Sequence, residues 1–292
     1  MHTVLNDLYD VKSSRTLYHY TSIDGLQGIV ESRSIWATEI RYLSDAKEVL
    51  QSLDILLSVI RAEYESSDAT KREFLRQFEV WLRDRLVNGH LVFVASLSEQ
   101  GNLLSQWRAY SPIGKGVSLG FDPQYIRKIA QQQGYNLGKC VYDRQLQQRV
   151  IQEIFRQIEE EAASNGPEND IGKCHPSNSY YGIFEKFEDD LLMCAALLKH
   201  PAFSEEREWR VVSSVVKRYA PSDIQYREGR SCLVPYRKLS LFQKEADQMK
   251  LKEVFVGPTP NSELSMRSVG LYLSNRGISP MVANSLIPYR VI

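Results

Sequence analysis

Phe203-Ser-Glu-Glu-Arg-Glu-Trp-Arg-Val-Val212 sets three carboxylates and two guanidiniums directly before an apolar, β-branched run. Charges at the mouth of a buried strand are costly unless they are paired or used. On a strand alternate residues share a face, so Glu206, Glu208 and Arg210 converge on one side and Arg207, Trp209 and Val211 on the other. If Arg210 holds one carboxylate, the second is left to stabilise a positive charge that develops in a reaction. The same spacing also builds an edge-strand ion-pair ladder with no chemistry in it.

His19 is the other residue whose type suggests chemistry. It lies between Tyr18 and Tyr20, with Thr21 on its own face of a short strand. A lone strand histidine also serves simply as a satisfied core or surface residue. No second histidine stands three or four residues away to share a metal ion, so no metal is expected. The chain has no G-x-S-x-G elbow, which argues against a serine triad. No cysteine sits in a glycine-rich turn, although spacing alone leaves Cys-His catalysis open. What these residues fit is a site where a neutral imidazole and hydroxyls hold a polar ligand beside a carboxylate. Cleavage of the nicotinamide–ribose bond of NAD needs that arrangement, because the ribose gains oxocarbenium character as the bond lengthens. Tyr110 or Trp107 would stack on the nicotinamide ring.

Several elements must position these groups. Leu17–Thr21 reads as a strand, and Ser22 or Asp24 can cap a helix that carries Leu26, Ile29 and Val30 on one face. Ser34–Thr38 is a second strand. Ser44 or Asp45 opens a helix to about Tyr64, and Thr70–Leu86 forms another, so 45–88 reads as a helical insertion or lid. Leu91–Ser98 is a buried strand, and Asn102 caps a short helix over Leu103–Tyr110. Gly114-Lys-Gly116 lacks phosphate-loop spacing and leads into a strand, Val117–Phe121. Helix over Pro123–Gln133, strand over Gly138–Tyr142 and helix over Leu146–Ala163 follow. Ser164–Ser179 reads as a loop and Tyr180–Lys199 as a helix that Pro201 stops, which makes 145–200 a second helical insertion. Ser231–Tyr236, Leu251–Val256 and Met281–Ser285 are strand candidates around a helix at Ser262–Asn275. Short strands mixed with helices in no strict βαβ rhythm indicate α+β, arranged as a single elaborated domain over 1–292.

Composition narrows the function classes. Lys plus Arg and Asp plus Glu each number 36, so no long-range field draws the chain to nucleic acid or an anionic membrane. Cys140, Cys174, Cys194 and Cys232 are scattered without zinc spacing and read as reduced thiols. The sequence from Met1 shows no signal-peptide pattern and no long apolar run, which leads us to expect a cytoplasmic protein with no membrane partner.

Taken in order, Leu17-Tyr-His-Tyr-Thr-Ser22, Ser96-Leu-Ser-Glu99, Asn102–Tyr110, Gly116–Phe121, Phe203–Arg210, Val234-Pro-Tyr236, Val256-Gly-Pro258 and Ile287-Pro-Tyr-Arg290 resemble the bacterial domain-of-unknown-function family 2971. One departure is Ser44-Asp45, where that family usually has Asn-Asp. The family in turn is similar to the ADP-ribosyltransferase fold. That resemblance implies a core of short mixed or antiparallel strands, with NAD as substrate. His19 with Tyr20 and Thr21 would contact the NAD ribose and amide, Ser98 or Tyr110 would supply the middle-strand element, and Glu208 would be catalytic. Glu206 would orient the acceptor, and Trp107, Arg108 and Arg210 would complete the cofactor site.

Three readings follow. The first is an NAD-dependent ADP-ribosyltransferase or NAD glycohydrolase, a toxin or phage-defence effector, whose acceptor is a protein, nucleic acid, small molecule or water. The second is a nuclease or RNA-modifying protein in which Arg108, Arg207 and Arg210 bind phosphate. The third is a non-enzymatic binding module whose charged strand is an ion-pair ladder. It requires fully paired carboxylates and no pocket beside His19, whereas the first requires His19 and Glu208 to face one cleft.

Overall fold

The structure is a computed structural model, and it describes residues 3–43, 47–112, 114–167, 179–217, 223–242 and 249–287. Its elements follow local sequence signals closely. α1 (Thr3–Tyr9) leads into β1 (Leu17–Ser22) and α2 (Ile23–Ser32). Ser22 caps α2, its hydroxyl accepting from Gly25 N at 3.0 Å, which satisfies an orphan first-turn donor. β2 (Ser34–Glu39) and a 3₁₀ turn (Ile40–Tyr42) precede α3 (Lys47–Tyr64) and α4 (Ala69–Asn88). The expected Ser44 or Asp45 cap of α3 lies outside the described residues. Asp68 caps α4, accepting from Lys71 N at 2.9 Å. β3 (Phe93–Ser98), α5 (Leu104–Tyr110), β4 (Gly116–Phe121), α6 (Pro123–Gln132) and β5 (Tyr135–Lys139) follow. Asp122 caps α6 with Pro123 just inside it, where a missing N–H costs nothing.

The second half contains α7 (Arg144–Asn165), α8 (Tyr181–Ala195), a 3₁₀ turn (Pro201–Glu206), β6 (Glu208–Ser213), β7 (Gln225–Glu228), β8 (Leu233–Ser240), β9 (Glu253–Val256), α9 (Ser262–Asn275) and β10 (Met281–Asn284). Three expectations shift. Asn102 does not cap α5; Leu103 holds that position, and Asn102 Oδ1 instead accepts from Trp107 Nε1 at 2.9 Å. The strand expected at Gly138–Tyr142 is registered earlier, at Tyr135–Lys139, where Tyr135 and Leu137 reach the core. α8 ends at Ala195, and an irregular buried segment carries the chain to Lys199.

The strands form one ten-stranded mixed sheet in the order β10-β9-β4-β1-β3-β2-β8-β7, with β6 also on β3 and β5 on β6. Among the described strands, only β9 and β10 pair in parallel. This is an α+β arrangement. β3 is the branch point. One of its edges carries β6 from Val94 to Ser98. The other is shared: β1 pairs there only at Tyr18↔Ser98, and β2 only at Thr38↔Val94 and Glu39↔Phe93. Residues 95–97 therefore face a fork where β1 and β2 splay apart.

Alternation sends the two sides of the sheet into different cores. Leu17, Phe93, Ala95, Leu97, Trp209 and Val211 pack with α2, α6 and α9. Val94 and Val212 point the other way, into a helical layer of α1, α3, α4, α7 and α8. There Phe78 lies 5.7 Å from Phe155 and 5.0 Å from Phe184, so both helical insertions close over one face of the sheet. Among the described residues no helix is long and apolar enough to cross a membrane.

Candidate functional site

The charged segment is not one continuous strand. Pro201–Glu206 is a 3₁₀ turn, and Arg207 adopts a left-handed φ of 43° that redirects the chain into β6 at Glu208. A non-glycine residue in that region carries strain, which the flanking bonds hold in place. Glu208 and Arg210 do share a face, as alternation requires. Glu206 reaches the same place from the turn, not by strand periodicity.

A fourth residue organises the group. Lys199 Nζ donates to Glu206 Oε2 at 2.6 Å and to Glu208 Oε2 at 2.7 Å. Arg210 Nε donates to Glu208 Oε1 at 2.9 Å, its Nη2 to Glu208 Oε2 at 3.1 Å and its Nη1 to Ala196 O at 2.9 Å. All four side chains are buried, Lys199 completely. Among the described residues two cations face two anions, so this set is formally neutral. Burial by itself pushes the Glu208 carboxyl up, but the charges and hydrogen bonds of Arg210 and Lys199 outweigh it and hold the pKa at about 2. Glu208 N donates to Tyr142 Oη at 2.9 Å, and burial pushes that phenol's pKa upward.

Sequence reasoning missed Lys199. Its signal was a single cation ending the apolar run Met193-Cys-Ala-Ala-Leu-Leu-Lys199, since a buried lysine requires nearby carboxylates.

His19 is elsewhere. Tyr18 is opposite Ser98, and Ser98 is opposite Glu208, so Tyr18, Ser98 and Glu208 point to one face. His19 is opposite Leu119 and points to the other face. The structure therefore does not bring His19 and Glu208 into one cleft. His19 occupies the fork, where its Nδ1 lies 3.0 Å from the Ser96 carbonyl oxygen. A carbonyl only accepts, so Nδ1 carries the hydrogen. Burial lowers the pKa of the ring, which leaves a neutral imidazole with its lone pair on Nε2.

The other expected site residues divide between structural and exposed positions. The Tyr20 hydroxyl donates to Gln100 O at 2.6 Å and accepts from Leu103 N at 2.9 Å, clamping the segment before α5. Ser98 Oγ donates to Glu206 O at 2.6 Å and accepts from Gln100 N at 2.9 Å. Trp107 is a core residue, not a stacking wall: its ring meets Tyr20 edge-on at 4.7 Å and packs so close to Gly116 and Gly257 that a Cβ at either would lie 3.0 Å from it. Thr21 Oγ1 fills the space beside Gly25 at the start of α2. Arg108 and Tyr110 are exposed on α5. Arg207 is exposed while Arg210 is enclosed in the cluster, so the three arginines of the phosphate reading do not converge.

Two further features complete the picture. A surface cavity of about 270 Å³ lies between α3, α7 and His200, lined by Asp54, Ser58, Arg144 and Gln147 among others. None of the expected site residues lines it. Among the described residues no group of three or more His, Cys, Asp or Glu is placed to hold a metal ion.

The chain thus combines a branched α+β sheet with an internally neutralised ion cluster and a histidine held in one tautomer. Residues 106–211 match the family described as "Protein of unknown function (DUF2971)", in agreement with the motif resemblance. That stretch contains all four members of the cluster and excludes His19. No curated protein and no solved structure matches the chain.

Proposed function

We propose that this protein acts as a ligand-binding module and that its charged strand is a structural strut. The observation that carries this reading is the closure of the cluster. Both oxygens of Glu208 receive hydrogen bonds from Lys199 or Arg210, and Lys199 also holds Glu206. A carboxylate so enclosed cannot approach a ribose without breaking charge-assisted bonds in a buried setting. The fork at His19 adds an acceptor nitrogen of fixed position, suited to a hydroxyl or amide donor. A cytoplasmic setting belongs to the proposal, since Cys194 and Cys232 are free thiols.

A second reading is favoured by one observation. The Glu208 pKa of about 2 keeps the carboxylate ionised at neutral pH, as an oxocarbenium-stabilising group must be. On that reading the core is an ADP-ribosyltransferase-like one, NAD is the substrate, and Lys199 and Arg210 release Glu208 when NAD binds. Nicotinamide release from NAD, followed for the parent and Glu208→Gln, separates the two. The strut reading expects no turnover above background in either protein. Turnover by the parent that Glu208→Gln abolishes, with the variant still folded, would establish the transferase or glycohydrolase reading instead.

A further inference from the structure

The sheet beyond the fork has an open face with an unusual set of side chains. On β2, β8 and β7 the registers Trp36↔Lys238, Thr38↔Tyr236, Gln225↔Tyr236 and Arg227↔Val234 place Trp36, Thr38, Gln225, Arg227, Tyr236 and Lys238 on one side. The acids of these strands, Glu39 and Glu228, have the opposite parity. This face therefore carries two cations and no carboxylate.

The aromatic pair is also one-sided. Trp36 stacks on Tyr236 with centroids 4.4 Å apart and an interplanar angle of 29°. Tyr236 is buried beneath it, while Trp36 is 45% exposed and offers its outer ring face to solvent. The other tryptophans, Trp81, Trp107 and Trp209, are all buried. Two residues along β2, Thr38 Oγ1 accepts from Arg227 Nη2 at 3.4 Å. Arg227 Nε is buried and has no hydrogen-bond partner. That N–H is enclosed by protein atoms, so an incoming anion would meet the terminal guanidinium nitrogens of this part-buried residue instead.

The geometry points to a nucleotide-binding site on this face, with a planar base stacked on Trp36 and a phosphate held by the Arg227 guanidinium. The strand spacing from Trp36 to Thr38, about 7 Å, fits the span from a purine ring to its 5′-phosphate. Stacking makes the base contact tolerant of base identity, and the arginine fork makes the phosphate contact specific. Lys238, opposite Trp36, adds positive charge at the rim. This inference rests on the binding reading above and names its ligand class.

The test is titration of the full chain with ADP, read by Trp36 fluorescence and by calorimetry, with adenosine and inorganic phosphate as separate probes. ADP should bind saturably and quench the exposed indole, and adenosine should bind more weakly at the same place. Arg227→Met should weaken ADP at least roughly ten-fold and leave adenosine unchanged. Arg227→Lys should restore part of the loss. Trp36→Leu should lose both ligands by calorimetry. Absence of ADP binding at millimolar concentration, or equal ADP affinity in the parent and a folded Arg227→Met, would overturn the site. If NAD is not consumed, that result leaves the binding reading standing. Nicotinamide release dependent on Glu208 would instead defeat the reading itself.

Discussion

The Lys199 cluster and the Trp36 face use similar residues to opposite ends. In the cluster, each formal charge has a partner within 3.1 Å and water is excluded. On the Trp36 face, an arginine N–H lacks an acceptor and an indole lies open. A closed set of charges fixes the path of the chain, because its partners are spent on one another. An open set retains binding capacity, because its bonds remain to be made. Charge density in a sequence therefore does not by itself mark a site, because paired charges are spent on the fold.

Substitutions should separate the two regions sharply. Lys199→Met leaves two buried carboxylates facing each other and should cost about 3–5 kcal/mol in urea unfolding. Acid should act on the same region. The Glu208 pKa falls from an ordinary 4.5 to about 2 on folding. Its contribution to stability is therefore complete above about pH 4.5 and is lost as pH falls toward 2. Denaturant midpoints measured across that interval should drop more steeply for the parent than for Glu208→Gln, whose amide does not titrate.

On the open face the effects reverse in kind. Arg227→Met should leave unfolding within about 0.5 kcal/mol of the parent while reducing ADP affinity. Lys238→Ala should give the smallest change, roughly two- to three-fold in ADP affinity and weaker still at high salt. A large stability loss in either variant, or unchanged ligand affinity in both, would blur the contrast.

Much of this architecture was legible in the chain. Ser22 announced α2, the apolar periodicity of Leu146–Ala163 announced α7, and alternation placed Glu208 and Arg210 together. What local pattern could not supply was long-range register. The pairing of Tyr18 with Ser98, and of Ser98 with Glu208, decides that His19 and Glu208 lie on opposite faces, and no spacing along the chain encodes it. From sequence Trp107, like Tyr110, reads as an aromatic able to stack on a ligand ring. It is buried because Gly116 and Gly257 let it approach the sheet. Nothing local in the sequence links Arg227 to Trp36, since their juxtaposition spans three strands distant in sequence.

Whether Glu208 is a strut is decided by the sign of one stability change. Residues kept for chemistry are often held at a cost to the fold, so replacing them tends to stabilise. Urea unfolding of Glu208→Gln against the parent at neutral pH should show a loss of about 3–5 kcal/mol, from two buried cations left undercompensated. Equal or greater stability in Glu208→Gln would contradict the account and identify a carboxylate retained for catalysis.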